Sequence, residues 1–479
     1  MKLLSKLTTT LFVLLTTLGI TSAQTWTPLS SQPTFRASTA LLLTDGRVFV
    51  QDSGSRDWWF LTPDLTGSYV NGAWTPAKLL PPGYGPTYFG SAVLPDGRVV
   101  VIGGEYNQGV ENWTTLGAIY NPTSNSWKRL QAPSGWTTIG DAQTVVLSNG
   151  TLMVADCCTT GEALLNAKTL TWTPTGAGKA DENDEEGWTL LPNGKVLTVD
   201  ANNAAPVSTS EIYDPSTGVW SSAGNTVANL VDISSHELGP AILRPDGTVL
   251  ATGATGHNAI YNSVTGTWSA APDFPISGGK QLAIADGPVA LLPDGNVLCM
   301  TSPGVYGFGA QFFEWDGASF KSTVNIPNAP NDPSYFGRML VLPTGQILLT
   351  DGSHDVEIYT STGTANPSWA PAITKFSKTL SHGKASTLSG TQFNGLSQGA
   401  AYGDDAQSAT NYPLVRITNS ATGHVFYART YNHSSMGVAT GSAIVKTHFQ
   451  VPVGIELGAS QLEVVANGIA SNPVSVTIN

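Results

Sequence analysis

Four acidic residues recur at one register of a repeated pattern. Asp141, Glu185, Glu237 and Asp286 stand nine or ten residues before the turn glycines Gly150, Gly194, Gly247 and Gly295. Tyr88 and Tyr335 hold the same offset before Gly97 and Gly345, and Phe336 adjoins Tyr335. Tyr106 follows an Ile-Gly-Gly-Glu segment just beyond Gly97. Carboxylates and ring faces gathered in one place suit a cation, or a polyol whose hydroxyls meet acids while its C–H faces meet rings. Like charges crowded together favour a bound cation or carboxyls that keep their protons. The competing reading is a solvated mouth in which the acids accept hydrogen bonds from loop backbone.

Whether these residues meet depends on the elements that carry them. One unit recurs: an apolar run, a Pro/Ser-Asp/Asn-Gly type of turn, a second apolar run, then Ile-Tyr and a Trp. Its turn glycines are Gly46, Gly97, Gly150, Gly194, Gly247, Gly295 and Gly345, spaced 44 to 53 residues apart. Asp-Gly and Asn-Gly between apolar runs are hairpin signals, because such turns need positive φ. The runs are almost continuously apolar, as expected of strands covered on both faces. One such unit cannot bury both faces alone, so copies must pack face to face, and a closed ring leaves few exposed edges. The Tyr-to-Trp half recurs at Tyr213/Trp220, Tyr261/Trp268 and Tyr359/Trp369, while Trp26 precedes the first unit and is expected to close the last. The sequence therefore predicts an all-β chain. A seven-bladed β-propeller over 24–376 precedes an immunoglobulin-like β-sandwich over 377–479, the latter built from runs such as PLVRITN, HVFYART and PVSVTIN. In that ring the start of each inner strand shares a face with the loop following the next strand. This adds Arg36, Cys157, Cys158, Asp200, His257 and His354 to the same end.

Residues 1–23 read as a signal peptide: Lys2 and Lys6, an apolar stretch from Leu11 to Ile20, then Thr21-Ser22-Ala23. A secreted destination, extracellular or periplasmic, follows, and no later run is a better membrane candidate. The formal net charge of −12, with no basic run, argues against nucleic acid as a partner. Three cysteines are too few for a disulfide framework. Cys157 and Cys158 are adjacent, so a bond between them would be strained and free thiols are expected. Cys299 reads as a buried hydrophobe. The acidic run KADENDEEGW, with Asp181, Glu182, Asp184, Glu185 and Glu186, reads as a solvated loop, with calcium as its second reading because hard oxygen donors cluster there.

The repeat and its period resemble the kelch family over roughly residues 25 to 375. The propeller followed by an immunoglobulin-like domain resembles the galactose oxidase and glyoxal oxidase group. The resemblance implies roles: Tyr88 in YFGSAVLPDGRV as the radical tyrosine and Tyr335 in SYFGRMLVLPTGQ as the axial tyrosine. It also implies Tyr106 at the place of a stacking tryptophan. His433 in TYNHSSMGVAT would be the histidine that a C-terminal loop carries to the axis. Tyr88, Tyr335 and His433 would be the metal-ligand candidates. Two departures count against copper. Phe336 stands where the group has its second copper histidine, and Phe35-Arg36-Ala37-Ser38 lacks the cross-linking cysteine. Copper(II) at a tetragonal N,O site needs its imidazoles. The expected function is thus a non-catalytic ligand-binding propeller, with a glycan or small polyol at the axial face. An oxidase-like enzyme with an altered metal site and a protein-interaction module are the alternatives.

Overall fold

A computed structural model of the chain describes residues 24–203, 207–405 and 408–479. The signal-peptide reading of 1–23 lies outside the described residues. The described residues are all-β, with three short 3-10 turns and no longer helix among them, and no helix among them is long and apolar enough to cross a membrane.

The repeated unit is a four-stranded antiparallel sheet. Ala37–Leu42, Val48–Asp52, Trp58–Thr62 and Ala73–Pro76 form the first, and five more sheets have four strands each. A larger sheet carries the same ladder, Val289–Leu291, Val297–Pro303, Gln311–Trp315 and Phe320–Ser322, with extra strands paired to it. The hairpins obey the chemistry read from the sequence. All of Gly46, Gly97, Gly150, Gly194, Gly247, Gly295 and Gly345 have φ between 81° and 87°, a region closed to most side chains. In six of these turns the Asp or Asn before the glycine accepts from the backbone N–H two residues on, as Asp96 does from Arg98 at 3.0 Å. The second strands are buried along their length, as in Val99–Ile102, because neighbouring sheets cover both faces.

The inner strand of the last sheet, Arg338–Val341, lies beside the inner strand of the first, Ala37–Leu42. The N-terminal strand Thr25–Pro28 supplies that last sheet's fourth strand, pairing Trp26 with Tyr359. The expected Tyr359/Trp369 pair does not form. Trp26 packs on Tyr359 with ring centroids 4.9 Å apart, while Trp369 sits in a 3-10 turn against the Gly295 hairpin. The outer edge had already been filled from the N-terminus. Cys299 is buried, as expected. Cys157 and Cys158 are joined as a disulfide rather than free, because the turn after Leu152–Ala155 brings both sulfurs together.

Strands from Ala372–Lys375 to Val474–Ile478 build a nine-stranded sheet with its own core of Leu388, Val415, Ile417, Phe449, Val464 and neighbours. One excursion of this region enters the middle of the repeated sheets. Ala400–Ala401 pairs with Val289 and Ala290, and Gln398 accepts from the Leu190 backbone N–H at 2.8 Å. On the return, Ser408 and Tyr412 donate to the carbonyls of Ala40 and Leu42. The excursion thus touches inner strands of several sheets, and its tip is Tyr402-Gly403-Asp404-Asp405.

Candidate functional site

The candidates lie at the ends of the inner strands away from the hairpin turns. Asp141, Glu185, Glu237, Asp286 and Tyr335 each stand three or four residues before the start of an inner strand. Together with Tyr88, Glu105, Tyr106, Ser235, Tyr306 and Asp404 they line a cavity of about 440 Å³. Local backbone aims them there. Tyr88, Glu185 and Asp286 have φ of 49°, 57° and 55°, a left-handed conformation that costs a non-glycine residue roughly 1–2 kcal/mol and that gathers at functional sites.

Six carboxyl groups face this cavity, and among the described residues no lysine, arginine or histidine lines it. One oxygen each from Glu185, Asp286 and Asp404 lie within 4.8 Å of one another. Burial, then neighbouring acids, pushes Asp141, Glu185, Asp286 and Asp404 well above the carboxylate range. Burial also lifts Glu105 to about 7, and Glu237 to about 7 against the pull of a 2.7 Å hydrogen bond donated by Tyr306. Beneath the floor, the buried Arg338 guanidinium lies 3.6 Å from the Tyr402 ring centroid and 5.5 Å from that of Tyr88. It donates to the carbonyls of Tyr335 and Gly337 at 2.7 and 2.9 Å. Tyr402 donates to the Tyr335 carbonyl at 2.9 Å, tying the excursion to the last sheet.

One wall of the mouth is aromatic. Tyr306 and Tyr335 approach edge to face at 5.7 Å, Phe336 lies 4.9 Å from Tyr335, and Phe308 lies 6.3 Å from Phe336. Phe308 is 60% exposed. Phe336 is therefore a rim residue and not part of the lining.

His433 lies elsewhere. It is buried against the opposite, turn end of the second sheet, with its backbone N–H 3.3 Å from the Pro95 carbonyl. Its Nδ1 bonds Thr447 at 2.8 Å, its ring stacks on Tyr412, and burial lowers its pKa to about 3. The chain places Asp404 in the cavity instead. His257 pairs with Asp273 at the surface. Asp200 joins a second acidic group, for the run KADENDEEGW is not a solvated loop. Asp181 and Glu186 are buried, and Lys179 reaches Glu186, Glu211 and Asp200 at 2.9, 2.7 and 4.0 Å. The run reads as solvated because the local sequence does not show that Lys179, its own first residue, is buried between Glu186 and the distant Glu211.

Neither a known protein-family profile nor a curated protein matches the sequence. Solved structures do match. A fungal alcohol oxidase of the AA5 family, in complex with copper, is 14% identical with a TM-score of 0.54, over 96% of this chain and 100% of that one. A catalytically inactive virginiamycin B lyase from Staphylococcus aureus with quinupristin is 10% identical with a TM-score of 0.50, over 71% of this chain and 99% of that one. The extracellular domain of a hybrid two-component system from B. thetaiotaomicron is 12% identical with a TM-score of 0.48, over 96% and 59%. The fold is a galactose oxidase-like β-propeller. At these identities the likeness concerns the fold, and function must be argued from the site.

The propeller's cavity does not fit copper. Its donors are carboxyl and phenol oxygens with no imidazole among its lining residues, and His433 is held at the far end of the second sheet. A set of hard oxygens does not meet the imidazole requirement of a tetragonal copper(II) site.

The raised carboxyls predict how stability depends on pH. Glu105, Asp200 and Glu237 titrate at about 7, Glu162 and Asp332 at about 8, and Glu357 at about 9. Above their ordinary values the folded chain holds protons that the unfolded chain has lost, so stability falls as pH rises through these values. His433 contributes only below its ordinary 6.5, where its depressed folded value removes stability in acid. Thermal melts in chelator should therefore show a falling Tm between pH 6.5 and 9. A Tm that rises across that window would contradict the buried, proton-holding state of these acids.

Proposed function

We propose that this chain is an exported, seven-bladed kelch-type propeller with an immunoglobulin-like C-terminal sandwich. In this reading it binds a glycan-like polyol in the axial cavity and is not a copper-radical oxidase. The observation that carries the reading is the cavity itself, with acids on its floor and Tyr88, Tyr106, Tyr306 and Tyr335 around it. Carboxyl and phenol groups accept from and donate to sugar hydroxyls, and the exposed rings of Phe308 and Phe336 offer faces to C–H surfaces. The seven-blade count is supported by the seven matching hairpins and by the N-terminal strand that completes the last sheet. The sandwich assignment is supported by the separate C-terminal core, and export by the leader-like residues 1–23.

The test is calorimetric titration with a panel of mono- and oligosaccharides. The expected result is saturable binding to at least one polyol, weakened about tenfold in Tyr88→Ala, since an aromatic contact is worth about 0.5–1.5 kcal/mol beyond the area it buries. Binding unchanged in both Tyr88→Ala and Glu237→Ala, or binding only to a protein partner, would overturn the assignment.

A further inference from the structure

The tryptophans of the repeat serve the sheets. Trp26, Trp74, Trp127 and Trp172 sit on outer strands, and each donates its indole N–H to a backbone carbonyl of another segment at 2.6 to 3.0 Å. Two tryptophans stand outside this pattern. Trp113 lies in the loop between Val110–Glu111 and Gly117–Asn121, and Trp136 in the loop between Ser126–Leu130 and Thr144–Val146. Among the described residues no group accepts from either indole N–H, and no aromatic ring packs on either one. Trp113 is 44% exposed.

Both rings flank the Cys157–Cys158 disulfide, in which Cys158 is exposed. A Cβ placed on Gly140 would meet Cys157 Sγ at 2.5 Å and Trp113 Cδ1 at 2.9 Å, so sulfur and ring close on one glycine. A Cβ on Gly161, just past the disulfide, would stand 3.6 Å from Trp136 Cζ2. The segment from Trp136 to Asp141 runs along this turn. Thr138 donates to Asp156 at 2.6 Å, and the Ile139 carbonyl accepts from the Cys157 N–H at 3.1 Å. That segment ends at Asp141, which lines the axial cavity, and the hairpin before Trp113 carries Tyr106, which lines it too. The patch therefore starts where the cavity wall ends.

We infer that Trp113, Trp136 and the disulfide form a second sugar platform beside the cavity, so that the ligand is an oligosaccharide chain rather than a single sugar. The inference rests on the polyol reading of the cavity and names the class of polyol. An indole offers its face to the C–H face of a pyranose ring and its free N–H to a hydroxyl at the edge. The disulfide adds soft, polarizable surface between the two rings. One unit of the chain lies in the cavity, and the units after it leave over the patch. Charge selects among chains. Six carboxyl groups and, among the described residues, no basic side chain line the cavity, which gives an anionic sugar no counter-charge there. The units are therefore neutral.

The probes are β1,4-linked glucose, mannose, xylose and N-acetylglucosamine chains of one to six units, titrated by calorimetry. For the series that binds, affinity should rise about tenfold between one unit and three, the scale of an added aromatic contact. Trp113→Ala and Trp136→Ala should each remove most of that rise and leave single-unit affinity as in the wild type, which a general loss of folding would not do. Trp113→Phe should keep most of the rise, and Tyr88→Ala should weaken every length alike. Affinity independent of chain length, or a rise that survives both tryptophan substitutions, would overturn the platform and leave the polyol reading of the cavity standing. Binding at no length would remove both. Tighter binding of uronic-acid chains than of neutral ones would overturn the choice of neutral units.

Discussion

Lys179→Met should lower folding stability by about 3–5 kcal/mol, the cost of leaving buried acids without their counter-charge. The ammonium is the shared partner of Glu186 and Glu211, and it stands 5.5 Å over the Trp220 ring. Glu211 also accepts from the Ala180 backbone N–H at 3.0 Å, and Thr198 donates to Glu186 at 3.0 Å. Removing the lysine therefore exposes a network to self-repulsion in the fourth sheet without touching the axial cavity. Chemical denaturation reads the loss, and adding Glu186→Gln to Lys179→Met should recover part of it. A change under ~1 kcal/mol, the scale of a surface ion pair, would contradict the burial assigned to this group.

Arg338 is the second position where a large effect is expected, and here function should fall with stability. Its guanidinium holds together three parts of the site: the Tyr335 carbonyl, the Tyr402 ring and the Tyr88 ring. Against burial, which lowers its pKa, Tyr402, Asp405, Tyr88 and Asp286 act on it electrostatically to hold it raised. Arg338→Met should cost about 3–5 kcal/mol and abolish ligand binding, because the tip of the C-terminal excursion loses its seat. Arg338→Lys should not restore binding, since an ammonium has neither the planar fork nor the stacking face of a guanidinium. Full binding by Arg338→Lys would show that charge alone is at work.

Repetition made much of this legible in the sequence, and its absence hid the rest. The turn glycines and the Tyr–Trp pairs recur, so one reading of their chemistry served many sheets at once. The acids Asp141, Glu185, Glu237 and Asp286 share a register with those turns, and their common face followed from antiparallel pairing. Tyr402 and Asp404 come from a non-repeating segment whose pairing with Val289 and Ala290 has no local signal. His433 was placed by resemblance at the axis, but its loop is fixed by Pro95 and Thr447 at the other end. Tyr306 lies in a glycine-rich loop where length, not pattern, lets it reach Glu237. The pairing of Trp26 with Tyr359 displaced Trp369 because ring closure, a property of the whole chain, overrode a local match.

Hydrogen exchange with and without bound ligand tests the axial cavity most directly as the working face. Protection is expected in peptides containing Tyr88, Tyr106, Glu185, Glu237, Asp286, Tyr306 and Tyr335. These are far apart in the chain and joined only at the cavity. Protection confined to the hairpin glycines and the loop of His433, at the opposite end of the inner strands, would contradict it.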